Sequence, residues 1–298
     1  MKKLIAISGA TGIGKTEMAI RLANHFKTEI ISADSRQFFA EMNIGVAKPS
    51  TDELQRAKHH FVGHVSIFDD YSAGRFEQDA LAALDEIFVN NDVAICVGGS
   101  GLYLSALIQG LDDLPSDRSV KEKYAEILEN KGIEKLQELL KDRDPDYFIK
   151  VDIQNPHRLI RALEVIELTG NTYSSIRTNE SKQRNFEVVV FVLTAQRSFI
   201  YDRINRRVDI MVQHGLTEEV RGLEQYQHLN ALNTVGYKEF FDVWKNNGDE
   251  KDAIELIKQH SRNYAKRQET WWRRSENANW INVDQNGDPF EAILNKLH

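Results

Sequence analysis

The stretch Gly9-Ala-Thr-Gly-Ile-Gly14-Lys15-Thr16 constrains this chain more than any other. It matches G-x-x-x-x-G-K-[ST], in which glycines let backbone N–H groups wrap a phosphate and the last residues open a helix. The context fits. Ahead of it, Leu4-Ile-Ala-Ile-Ser8 reads as a short buried strand; behind it, Met18, Ala19, Leu22, Ala23 and Phe26 recur at helical spacing over 15–26. In such a loop Gly9, Ala10, Thr11, Gly12, Ile13 and Gly14 cradle the anion, Lys15 adds a mobile charge, and the Thr16 hydroxyl is placed to ligate Mg²⁺. The motif calls for a diphosphate or triphosphate and does not specify ATP.

The elements that follow extend the same architecture. Glu29-Ile-Ile-Ser32 is a second strand ending at Asp34, and Ser72 caps a helix with Phe76, Ala80, Leu81, Leu84, Ile87 and Phe88 on one face. Val93-Ala-Ile-Cys-Val97 is a third strand, closed by Gly98-Gly99, and 187–193 is a fourth. Apolar strands alternating with helices imply an α/β fold, a P-loop parallel sheet flanked by helices. Between Pro115 and about residue 185 no strand is evident, only charged helical segments, one opened by Asn155-Pro156 and stopped by Gly170. Residues 118–186 are therefore read as an inserted all-helical domain in a core made of 1–117 and 187–298. Helices around 198–213, 217–227 and 250–275 and a short strand at 279–283 complete the pattern.

Composition narrows the function classes. With 41% hydrophobic and 28% charged residues, the 298-residue chain can bury a proper core. No apolar run approaches the ~20 residues needed to cross a bilayer, and the N-terminus does not read as a signal peptide, so no membrane association and a cytoplasmic location are expected. The single cysteine, Cys96, excludes a disulfide framework. The net charge is −7, yet 258–274 holds six Lys/Arg against Glu269, and 197–208 holds four Arg against Asp202. Basic patches on an acidic chain fit a polyanion held in one place.

A nucleotide-hydrolysing phosphate-loop enzyme usually carries an acid at the end of a further strand. Strand 93–97 ends without one, which leaves Asp34 as the acid best placed at the carboxyl edge of the sheet. Its alternative reading is a turn former before Ser35.

Several stretches together resemble the bacterial tRNA dimethylallyltransferase (tRNA isopentenyltransferase) family. They are Gly9 to Thr16, Ile31-Ser-Ala-Asp34-Ser35-Arg36-Gln37, Ile44-Gly45-Val-Ala47-Lys48-Pro49 and Val97-Gly-Gly-Ser100-Gly-Leu-Tyr103. Further along come Asn155-Pro156-His157-Arg158-Leu159-Ile160-Arg161-Ala-Leu-Glu164, Arg203-Ile-Asn-Arg206-Arg207, Val235-Gly236-Tyr237-Lys238 and Ala265-Lys266-Arg267-Gln268-Glu-Thr270-Trp271.

The resemblance implies transfer of a prenyl group from dimethylallyl diphosphate to N6 of adenosine 37, beside the tRNA anticodon, with pyrophosphate released. It implies Asp34, Thr16 and Arg207 as catalytic residues. Thr16 would hold Mg²⁺, with Asp34 reaching it through water, and the carbocation-like carbon would be shielded in a closed channel. It also implies tRNA contacts at Asp34, Ser35, Arg36, Gln37, Ser100, Lys121, His157, Arg158, Leu159, Ile160, Arg161, Lys266, Arg267 and Gln268. A monomer gripping the anticodon stem-loop is expected. Two departures stand out: Ser100 replaces a common Thr, and His157 a common Gln. A small-molecule kinase, an adenylate isopentenyltransferase and a non-enzymatic RNA-binding module remain open alternatives from the residues alone.

Overall fold

The structure is a computed structural model and describes residues 2–178, 180–275, 277–285 and 287–297. Six strands form one sheet: β1 (Lys3–Gly9), β2 (Ile30–Ser32), β3 (His59–His60), β4 (Val93–Val97), β5 (Glu187–Thr194) and β6 (Ala278–Asn282). Their order is β3-β2-β4-β1-β5-β6, and every pairing is parallel. β3 was not anticipated, because two histidines at a sheet edge carry no hydrophobic period.

The central strand explains its own sequence. Leu4 and Ala6 join Phe76, Ala80, Leu84 and Ile87 of helix Ala73–Asn90 on one face. Ile5 and Ile7 join Met18, Leu22 and Ala23 of helix Lys15–Phe26 on the other. A strand covered on both sides needs apolar residues at consecutive positions, as here. The register sets Ile7 beside Val97 and Gly9 beside Leu193, so the end of β1 lies deep among its neighbours. After β1 the chain builds on one side of it and later on the other, which makes its carboxyl end the switch point where open α/β sheets bind ligands.

Two compact units result, Met1–Gln109 with Gln183–His298, and Gly110–Lys182. The second unit is helical throughout, with a core of Tyr124, Leu136, Leu140, Leu159, Ala162 and Leu163. Helix Pro156–Thr169 starts where the sequence indicates: the Asn155 side chain accepts from the Arg158 N–H, and Gly170 closes the helix at φ 72°. In the first unit, a further cluster packs Leu216, Val220, Tyr237, Phe240 and Ile257 beside the sheet. Among the described residues no helix is long and apolar enough to cross a membrane.

Candidate active site at the carboxyl edge of the sheet

Each glycine of the phosphate loop has a local cause. Gly9 has φ 139°, and a Cβ there would lie 2.4 Å from the Leu193 carbonyl oxygen. Gly12 (φ 77°) and Gly14 (φ 106°) adopt left-handed backbone, and Gly14 caps helix Lys15–Phe26. Ala10 and Ile13 are buried, so any contribution they make to an anion comes from backbone alone. Lys15 Nζ donates to the carbonyls of Gly9 (3.0 Å) and Ala10 (2.9 Å). Burial, then the nearby Arg207, lower its ammonium pKa to about 8, while Asp34 acts in the opposite direction.

Asp34 reaches this edge because β2 and β4 end almost in contact. The Ala33 N–H donates to the Val97 carbonyl (2.7 Å), and a Cβ on Gly98 would sit 2.2 Å from the Ala33 carbonyl oxygen. The two readings of Asp34 coexist. Its Oδ1 accepts from the backbone of Arg36 (3.0 Å) and, more weakly, of Gln37 (3.4 Å), while the residue lines a cavity of about 350 Å³.

Arg207 enters the same cavity from helix Arg197–Gln213. It donates to Thr11 Oγ1 (3.3 Å) and lies 3.5 Å from the Ala47 carbonyl oxygen. Burial lowers its pKa, opposed by the Asp34 charge. Arg203, one turn earlier, braces the loop itself by donating to the Gly12 carbonyl (2.7 Å). Val46, Ile204, Val208, Met211, Val235 and Ile257 give the cavity an apolar wall. Tyr264 also lines it; burial and Asp34 push its phenol up to about 12. The cavity thus sets a carboxylate and a guanidinium beside an apolar wall.

Two sequence stretches that lie far apart form one structural device beside it. The Glu219 carboxylate accepts from the N–H groups of Asn43 (3.1 Å), Ile44 (2.8 Å) and Gly45 (2.9 Å), and from the Tyr237 hydroxyl (2.6 Å). A Cβ on Gly45 would meet the Tyr237 ring at 2.5 Å, and Gly236 (φ 104°) presses on the Gly45 backbone. Gly45, Val46, Ala47, Val235 and Gly236 all line the cavity, so this device shapes its wall.

The residues expected to contact tRNA lie in different settings. Arg36 donates to the carbonyls of Asn230 (2.9 Å) and Ala231 (3.1 Å) and lies 3.4 Å from that of Asn233; Gln37 donates to those of Val46 (3.2 Å) and Ala47 (2.9 Å). Both side chains serve the fold of the site. Leu159 is fully buried in the helical core and presents no side chain to RNA, a correction to the sequence expectation; Ile160 packs against the same core. Arg161 binds the Leu114 and Pro115 carbonyls and the buried Glu164. Gln268, also expected at the tRNA, is committed within the protein. It is 5% exposed, its Oε1 accepts from the Thr11 N–H (2.9 Å), and its Nε2 donates to the Gly99 carbonyl (2.7 Å).

His157, Arg158, Lys121, Lys266 and Arg267 are exposed, while Ser35 and Ser100 are half-buried. Lys121, His157 and Arg158 belong to the helical unit, and Lys266 and Arg267 to the other. Trp272 is buried in the core, and its neighbour Trp271 is 40% exposed. The roles of Gln268 and Glu219 escaped the sequence reading. For Gln268 a signal existed: Ala265, Gln268 and Trp272 fall at i, i+3 and i+7, the buried stripe of helix Glu250–Trp272.

Mg²⁺ fits the donors present. Among the described residues no group of three or more His, Cys, Asp or Glu could cage a metal ion. Thr16 and Asp34 offer hard oxygens, and magnesium held mainly by a diphosphate and its own waters needs only one or two such protein ligands.

The chain is similar to proteins of one family. The family model described as IPP transferase matches residues 37–275. A tRNA dimethylallyltransferase of Christiangramia forsetii is 49% identical over 297 residues, covering 99% of this chain and 98% of its own. One of Flavobacterium johnsoniae is 46% identical over 98% of this chain and 96% of its own. The crystal structure of the full-length tRNA isopentenylpyrophosphate transferase from Bacillus halodurans superposes with TM-score 0.73 at 33% identity, covering 100% and 96% of the two chains. A eukaryotic dimethylallyltransferase acting on tRNA gives TM-score 0.78 at 28% identity, over 95% of this chain and 74% of that one. From Gln37 to Ser275 and across the whole fold, this chain belongs to the IPP transferase family.

Proposed function

We propose that the protein is a tRNA dimethylallyltransferase, transferring the dimethylallyl group of dimethylallyl diphosphate to N6 of adenosine 37 in tRNA with release of pyrophosphate. The observation that carries the reading is the cavity in which Asp34 and Arg207 stand beside an apolar wall, with Thr11 of the phosphate loop in its lining. The diphosphate binds residues 9–16 and Arg207, and the five-carbon tail lies along Val208, Met211 and Val235.

The exocyclic amine of adenine is a weak nucleophile, because its lone pair is delocalised into the ring. Asp34 accepts the N6 proton as nitrogen bonds to the allylic carbon and the carbon–oxygen bond breaks. Lys15 and Arg207 neutralise the charge that builds on the departing pyrophosphate. Thr16, with Asp34 through water, would hold Mg²⁺, which when bound would add further charge stabilisation. The apolar wall keeps water from the electron-poor carbon. The exposed cations Arg158 and Lys266 grip the anticodon stem-loop while the target base is extruded from its stack at a cost of a few kcal/mol. The tRNA substrate favours a cytoplasmic location, and the protein is proposed to act as a monomer.

The test is one incubation of unmodified tRNA with labelled dimethylallyl diphosphate and Mg²⁺, run beside ATP as donor and free AMP as acceptor. Label in tRNA alone, with no ATP consumed, is the expected result. Label in AMP, or stoichiometric ADP, overturns the reading.

A further inference from the structure

We propose that Gln268 is a positioning residue for the diphosphate end of the reaction, acting through Thr11, and makes no contact with tRNA. The inference rests on the function proposed above. Gln268 directly follows two exposed residues, Lys266 and Arg267, yet is itself 5% exposed. Both ends of its amide are committed, one to the Thr11 N–H (2.9 Å) and the other to the Gly99 carbonyl (2.7 Å). It bridges the phosphate loop to the end of β4, the two edges that flank the reacting groups.

The bridge demands glutamine. Its acceptor faces an N–H and its donor faces a carbonyl, so glutamate would set a carboxylate against the Gly99 oxygen and asparagine would fall short. Gly99 is shaped to receive it, since a Cβ there would lie 2.3 Å from Nε2 and 3.7 Å from Lys15 Nζ. The consequence reaches Arg207. With its N–H held by Gln268, Thr11 is fixed in place, and its hydroxyl accepts from Arg207 Nη1 (3.3 Å). Gln268 therefore sets the position of Thr11, and Thr11 sets that of the arginine that meets the leaving group. Displacing a charged group by about 1 Å can cost about 100-fold in rate.

The experiment compares wild type with Gln268→Ala, Gln268→Glu and, from the opposite side of the contact, Gly99→Ala. Three quantities are read: affinity for inorganic pyrophosphate by calorimetry, affinity for unmodified tRNA across a salt series, and kcat for prenyl transfer. The expected result is a kcat loss of about 10–100-fold with weakened pyrophosphate binding, while tRNA affinity and its salt slope stay at the wild-type value. Weakened tRNA binding with unchanged pyrophosphate affinity and kcat would make Gln268 an RNA contact and overturn the proposal. Equal loss of all three, tracking a fall in thermal midpoint, would reduce it to a general packing role and overturn it too. If wild type fails to prenylate tRNA, the function proposed above falls, while the pyrophosphate titration still decides whether Gln268 governs the phosphate loop.

Discussion

Replacing Glu219 with Gln should loosen the cavity wall, by an amount that follows from its four hydrogen bonds. The carboxylate accepts from the backbone of Asn43, Ile44 and Gly45 and from the Tyr237 hydroxyl. A glutamine keeps one acceptor oxygen and turns its NH₂ toward donors, so about two of the four bonds are lost. The Asn43 amide is exposed and meets water when freed, whereas Tyr237 is fully buried. Bonds to a charged acceptor contribute about 1.5–3 kcal/mol each, and discounting for the exposed amide gives a total near 3 kcal/mol. Burial and the Glu219 charge raise the Tyr237 phenol pKa, so it remains a neutral donor and the loss does not depend on pH in the ordinary range. At about 2–4 °C per kcal/mol for 150–250 residues, the thermal midpoint of the sheet-containing unit should fall by about 6–12 °C. Tyr237→Phe removes one bond to the charged carboxylate and should cost about 1.5–3 kcal/mol. Differential scanning calorimetry of both variants and their double mutant checks the coupling. A midpoint shift under about 2 °C for Glu219→Gln would refute the argument that this carboxylate holds the two loops together.

Four further expectations follow from the site. Asp34→Asn keeps an oxygen to accept from Arg36 and Gln37 but cannot take a proton, so turnover should drop about 100-fold or more while tRNA binding persists; wild-type turnover would remove Asp34 from the chemistry. The lowered pKa of Lys15, about 8, means that its charge is present at pH 7 and lost as the pH rises past that value. KM for the diphosphate should therefore rise above pH 8, and the ligand-free protein should gain stability over the same interval, because its unfolded chain still holds that proton. A flat KM from pH 7 to 10, or one whose rise survives in Lys15→Arg, would contradict this. Arg158→Ala and Lys266→Ala should each weaken tRNA binding and flatten its salt dependence, measured by filter binding, with diphosphate affinity unchanged; an unaltered slope would exclude phosphate contacts. Leu159→Ala should cost about 2–5 kcal/mol in the helical unit, seen by thermal melting, whereas an RNA-contact role would lower tRNA affinity at unchanged stability.

Much of the protein was legible in its sequence because the relevant signals are local. The phosphate loop, the strand before it and the helix after it follow from backbone requirements of glycine and from helical spacing over a dozen residues. The parallel sheet was legible because β1, β4 and β5 are apolar at nearly every position, which only a strand covered on both faces needs. The helical unit was legible from its lack of strands, although its compact limits, Gly110–Lys182, lie a few residues from the expected 118–186. What the sequence withheld was where a side chain points and what it meets. Gln268 lies in a basic run and reads as a surface residue; burial beside Ala265 and Trp272 directs it to Thr11, 257 positions away. Leu159 lies between Arg158 and Arg161 in a stretch read as RNA-facing, and the helix turns it into the core. Gly45 and Gly236 stand nearly two hundred residues apart and are required for one contact around Tyr237. Hydrogen bonds and steric contacts between distant segments leave no period in a sequence, so only the tertiary structure decides which residues act on substrate and which hold the acting residues in place.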